Sequence, residues 1–211
     1  MIELLVMKRY AFVDVLNTAN SAEKMLGFAV DWARLAEYLT HKRSCTEVFF
    51  YTGIENGDIE TAEEFDVLSK IDYCTVRSKP AFVYKNKDKT VAKVCRVCAT
   101  EDVFTIDMGY TKKSNCDVEL GVDAIEKSGP EIELMIFTAD GDFEYLIRRA
   151  LEKGVKKVHI FSYAGKETKA GVTISRFSTK LRSLLAEKKD QVFYTSLNDI
   201  RHAIKKDIPI V

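Results

Sequence analysis

The chain has 211 residues, enough for one α/β domain with a sizeable core, and its 46% hydrophobic and 30% charged content is ordinary for a globular protein. Its 32 basic and 32 acidic residues balance, which argues against a protein that coats nucleic acid nonspecifically but leaves room for an enzyme whose acidic site is offset by a basic rim. No run approaches the ~18 apolar residues needed to cross a bilayer, so no membrane partner is expected. Met1 to Val6 lacks the basic start and small-residue cleavage site of a signal peptide, so a cytoplasmic location is expected.

In chain order, the first strand is expected at Tyr10–Val13, ending at Asp14, and a polar stretch follows from Asn17 to Lys24. Trp32, Leu35, Ala36 and Leu39 recur at helical spacing with Asp31 placed to cap them. A second strand covers Val48–Tyr51, a helix Thr61–Ile71 and a third strand Tyr73–Val76. The rhythm then breaks: strand-like pieces at 81–84, 90–97 and 103–108, around the charged turn 85–89, predict a β-hairpin insertion near residues 80–108. The pattern resumes with a helix from Asn115 to Lys127, a fourth strand Glu133–Phe137, and a helix whose Phe143, Leu146, Ile147, Ala150 and Leu151 share one face before Gly154. Val158–Phe161 is the fifth strand; Ile174, Phe177, Leu181, Leu184 and Leu185 mark a helix; Gln191–Tyr194 suits an edge strand; and Ser196 with Asp199 resembles a capping box for the last helix. Strands alternating with helices predict a mostly parallel sheet in a single domain, with a core over about 8–162 and a C-terminal strand and helix extension over 163–211.

The five cysteines fit a reducing compartment. Cys95 and Cys98 form C-x-x-C on what looks like a strand, which would send them to opposite faces. No second pair follows at zinc-ribbon spacing, so small buried hydrophobes are expected in preference to structural zinc.

Open parallel sheets bind ligands beyond the carboxyl ends of their strands. Asp14 closes the first strand, and Asp140 and Asp142 close the fourth, while Asp117 lies near the start of a helix. Each admits a bland role as a turn former or helix cap. Together they would converge on one pocket if the first and fourth strands are neighbours. Clustered carboxylates resist joint ionisation, and a hard divalent cation relieves that penalty. Such a cation suits phosphodiester hydrolysis; His41, His159 and His202 show no ligand spacing. Asp123 is assigned to the outer helix face with Glu119 and Lys127.

Three segments together resemble the NYN domain family, including LabA-like proteins, within the PIN-like nuclease superfamily. Asp14 and Asn17 match its Asp-x-x-Asn; Lys113 and Asp117 through Asp123 match a basic lead into Asp-Val-x-Leu-x-Val-Asp; and Thr138-Ala-Asp140-Gly-Asp142-Phe143 matches Ser-Gly-Asp-x-Asp-Phe. The resemblance implies a three-layer α/β/α PIN-like fold and a metal-dependent, endonucleolytic ribonuclease using Mg²⁺ or Mn²⁺ on single-stranded RNA. It implies Asp14, Asp117 and Asp140 as metal ligands, with Asp142 as a further carboxylate. Asn17 and Thr138 would orient water or phosphate, and Lys113 would contact substrate, with Lys112, Lys166, Lys169, Arg176, Lys180 and Arg182 as further candidate cations. Thr138-Ala departs from the Ser-Gly of the motif and adds a Cβ where backbone could approach phosphate. A haloacid-dehalogenase-type phosphatase is disfavoured because Leu16 stands where that class needs a second Asp. A non-catalytic RNA- or protein-binding regulator remains the rival, a toxin-like ribonuclease with a cognate inhibitor would be a matter of context, and the apolar 80–108 region allows a homodimer.

Overall fold

A computed structural model describes residues 7–113, 116–169 and 171–207. Its centre is the strand β1 (Lys8–Asp14), which pairs in parallel on one side with β2 (Glu47–Glu55) and on the other with β7 (Ile132–Phe137). Outward from β2 lie β3 (Cys74–Lys85), parallel, and β6 (Tyr110–Lys113), antiparallel. Outward from β7 lie β8 (Lys157–Ser162) and β11 (Val192–Ser196), both parallel, giving the order β11-β8-β7-β1-β2-β3-β6.

Alternation along the strands splits the core in two. Ala11 and Val13 of β1, Val48 and Phe50 of β2, and Met135 and Phe137 of β7 pack on one face. Phe12, Phe49, Leu134 and Ile136 pack on the other, where the Phe12 and Phe49 rings stack 5.0 Å apart. Central strands buried on both faces read as continuous apolar runs, which is why they are visible from composition.

The first face is covered by α1 (Val15–Leu26), α2 (Trp32–Glu37), α3 (Ile59–Ser69) and α7 (Arg201–Ile204), and the second by α4 (Asp117–Glu126), α5 (Phe143–Glu152) and α6 (Thr179–Glu187). This is the expected three-layer α/β/α arrangement with a mostly parallel sheet. Asp31 caps α2 by accepting from the Arg34 backbone N–H at 3.0 Å, and the helix runs on as a π-turn over Tyr38–Lys42. No helix among the described residues is long and apolar enough to cross a membrane.

Several expectations need correction. The polar stretch 17–24 is helix α1, whose sheet-facing residues include the small Thr18, Ser21 and Ala22, so it lacks a visible apolar stripe. Gly27 ends it in the left-handed region at φ 68°, donating back to Glu23 O and Ala22 O. The segment 81–84 continues β3 in the main sheet instead of opening the insertion, and the hairpin is β4 (Lys89–Val94) with β5 (Glu101–Ile106), forming its own two-stranded sheet. Ile174 belongs to a small hairpin of β9 (Glu167–Lys169) and β10 (Val172–Ile174), so α6 begins later, behind the Ser178 cap. Ser196 Oγ accepts from Asn198 N at 3.2 Å within a turn, and α7 starts only at Arg201, so no capping box forms there. Asn115 lies outside the described residues.

Candidate active site

The sheet changes winding direction at β1. The chain leaves it towards β2 and β3, then returns to its other flank through β7 and β8. Helix α1, leaving β1, and helix α5, leaving β7, cover opposite faces of the sheet, so the β1/β7 junction is the switch point at which open parallel sheets bind ligands. Val13 pairs with Phe137 and Asp14 with Tyr51, so Asp14 sits one step above the last paired level of β7, and Thr138-Ala-Asp140 departs from that height.

Asp14 ends β1 and caps α1. It is only 8% exposed. Asn17 grips both carboxylate oxygens, its backbone N–H donating to Oδ1 at 3.1 Å and its side-chain amide to Oδ2, while Thr18 Oγ1 donates to the Asp14 carbonyl at 2.7 Å. Burial nonetheless pushes the carboxyl from 3.8 up to about 6; the Asn17 hydrogen bonds pull it down, and Asp117 and Asp140 add electrostatic repulsion. Asp117 and Asp140 are therefore each within electrostatic reach of Asp14.

Asp117 opens α4, where a carboxylate meets the positive end of the helix dipole. The preceding Cys116 is buried, and its thiol donates to the Thr52 carbonyl at 3.4 Å, tying the helix start to the end of β2. Asp14, Leu16, Tyr51, Thr52, Gly53, Cys116, Asp117 and Leu120 line one narrow cleft. Tyr51, Thr52 and Gly53 were not singled out from the sequence; their signal is position, since they end the strand beside β1.

On the β7 side, Thr138 is 1% exposed and its hydroxyl accepts from the Asp140 N–H at 3.1 Å, while Asp140 Oδ1 accepts from the Asp142 N–H at 3.0 Å. The Thr138 hydroxyl thus shapes the turn that carries Asp140. Asp142 points outward, 84% exposed, with Lys180 at 3.3 Å. Gly141 lies against α6: a Cβ there would come within 2.2 Å of Ser178 Oγ. The Lys113 backbone lies in β6 opposite Phe82, and its side chain lies outside the described residues.

Asp123 does not face solvent. It accepts from Tyr51 Oη at 2.8 Å and pairs with Arg77 at 3.0 Å, while Glu119 pairs with Lys79 at 2.5 Å and Lys127 with Glu47 at 2.7 Å. The whole stripe clamps α4 onto β2 and β3. Among the other cations named from the sequence, Arg182 is a structural tie, donating to Ser175 Oγ at 3.0 Å and to the Ala164 carbonyl and stacking over Phe177.

The donor set suits a hard divalent cation, because Asp14, Asp117 and Asp140 offer oxygen alone and a cation would relieve the penalty on the buried Asp14. Among the described residues, however, no three acidic, histidine or cysteine side chains are drawn together closely enough to hold one ion.

The sequence profile of the NYN domain matches residues 9–179. A protein of unknown function from Vibrio parahaemolyticus has a similar structure, with a TM-score of 0.58 and 18% identity over 92% of this chain and 96% of its own. At that identity the likeness speaks to the fold alone. Escherichia coli phosphofructokinase-2 in complex with potassium is a weaker likeness, with a TM-score of 0.37 and 12% identity over 75% of this chain and 54% of its own, and carries no argument. Among curated proteins none matches.

Proposed function

This chain belongs to the NYN domain family, a group of nuclease-like, RNA-related domains, and we propose that it hydrolyses RNA phosphodiester bonds, endonucleolytically and with Mg²⁺ or Mn²⁺. The observation that carries this proposal is the burial of Asp14 at the β1/β7 junction, with Asp117 and Asp140 close enough to repel it. A protein gains nothing in stability by burying a carboxylate beside two others. It gains a place to hold a cation against a phosphate.

Asp14, Asp117 and Asp140 would hold the cation. When bound, it would supply charge neutralisation at the scissile phosphate and polarisation of the attacking water. Asn17 keeps the Asp14 carboxylate in one orientation, and Thr138 sets the turn that presents Asp140. Lys113 and Lys180, the latter already beside Asp142, are proposed to meet the flanking phosphates. Single-stranded RNA is the proposed substrate because the cleft at the carboxyl ends of β1 and β2 is narrow.

The test is cleavage of a labelled single-stranded RNA with Mg²⁺, Mn²⁺ or EDTA, beside the Asp14→Asn/Asp140→Asn variant. Metal-dependent cutting that the folded variant lacks is the expected result. A fully active double variant would refute the assignment of the site. Absence of cutting by the folded wild-type protein under every metal would favour a regulator that binds RNA or protein without cleaving.

A further inference from the structure

The β4–β5 hairpin stands apart from the main sheet and carries Cys95-Arg-Val-Cys98, which the proposed cleavage does not use. The sequence places these residues on a strand with the thiols on opposite faces and buried. The structure corrects both points. β4 ends at Val94, and residues 95–100 form a closed tip: Cys95 N donates to Thr100 O at 2.8 Å, Ala99 N donates to Cys95 O at 2.9 Å, and Ala99 turns through the left-handed region at φ 57°.

These two backbone bonds fold Cys95 and Cys98 into one tight turn, and Cys95 is among the groups that lower the Cys98 thiol. Thr100 Oγ1 donates to Cys98 Sγ at 3.2 Å. Cys98 is exposed and Cys95 half-buried, and Val97 between them is 96% exposed, so the tip is open to reagents. The pair supplies two sulfur donors, and among the described residues no third ligating side chain joins them, whereas tetrahedral zinc takes four.

We propose that Cys95 and Cys98 form a redox-active dithiol that closes to an intramolecular disulfide by exchange with low-molecular-weight disulfides of the glutathione type. The Cys98 thiolate attacks one sulfur of the small disulfide, forming a mixed disulfide and expelling one thiolate, which takes a proton from water. Cys95 then gives its proton to solvent and attacks Cys98 Sγ, forming the protein disulfide and expelling the second thiolate. Two electrons pass from the protein dithiol to the small disulfide, which leaves as two thiols.

The chemistry is selective for this pair. Hydrogen bonds from Thr100 and then from Cys95 hold the Cys98 thiol down to about 7, so roughly half is thiolate at neutral pH. Burial instead pushes Cys45 up to about 12 and Cys74 to about 11, and raises Cys116. The three remaining thiols are thus internal controls.

The full chain is reduced, desalted and incubated at neutral pH with oxidised glutathione, then read by native and denatured intact mass and by peptide mapping. The wild-type protein is expected to lose two hydrogens, with a Cys95–Cys98 disulfide and the other three thiols intact. Cys95→Ser should stop at a glutathione adduct on Cys98, and Cys98→Ser should react at least ~10-fold more slowly. Circular dichroism checks that both variants keep the wild-type fold. A wild-type adduct that never resolves, five unreacted thiols, or a retained zinc ion protecting the pair would each overturn the proposal.

Discussion

Replacing Asp14 with Asn should make the metal-free protein more stable while removing its proposed activity. Holding the carboxyl at about 6 against an ordinary 3.8 means that ionising it costs roughly 3 kcal/mol more in the folded protein than in the unfolded chain. Asn carries no charge to desolvate, caps a helix about as well as Asp, and still offers an oxygen to the Asn17 N–H. The amide's own burial takes back part of the gain, leaving about 1–3 kcal/mol in favour of the variant. The sign follows from proton binding. Between about 4 and about 6 the native protein keeps a proton that the unfolded chain has lost. Wild-type stability therefore falls as pH rises through that window and stays reduced above it. Urea unfolding in EDTA, with both proteins at about pH 7.5 and about pH 4, reads this directly. The Asn variant should be the more stable at the higher pH, and the gap should close at the lower. A variant less stable at about pH 7.5, or a gap of equal size at both pH values, would refute the view that charge burial dominates at this position.

Other outcomes follow from the same geometry. Saturating Mn²⁺ should raise the melting temperature of the wild-type protein, by the equivalent of about 2.7 kcal/mol at a hundredfold excess over Kd, and leave the Asp14→Asn/Asp140→Asn variant unmoved in differential scanning fluorimetry. Asp140→Asn should cost several kcal/mol of transition-state stabilisation, on the order of 10³-fold in RNA cleavage. Asp142→Asn, removing an outward carboxylate beside Lys180, should cost far less in the same assay. Gly141→Ala should lose about 1 kcal/mol in urea unfolding, because the new Cβ displaces Ser178 Oγ from its hydrogen bond with Lys180 N and uncaps α6.

What could be read from the sequence was whatever local pattern controls. The strands β1, β2, β7 and β8 are apolar on both faces and need no knowledge of their neighbours to be seen. Helix α5 shows its buried face through Phe143, Leu146, Ile147 and Ala150. The order of acidic motifs along the chain was legible for the same reason. Helix α1 was not, because it meets the sheet through small residues, and small polar residues look alike in loops and in tight helix–sheet contacts. Cys95 and Cys98 were misjudged because a turn, decided by the hydrogen bonds of Thr100 and Ala99, replaces two-residue periodicity at the hairpin tip.

The site itself belongs to the tertiary structure. Asp14 and Asp142 are both short acids at strand ends, yet one is enclosed and the other stands in solvent beside Lys180. Nothing local distinguishes them. The difference arises because β1 is central, with β7 arriving from more than a hundred residues away and α4 pinned over β2 through Cys116. Sequence chooses the residue type and the local backbone at each position. Whether a carboxylate keeps its water is set by which distant segments close around it, and that desolvation, not the aspartate alone, supports the proposed chemistry at Asp14.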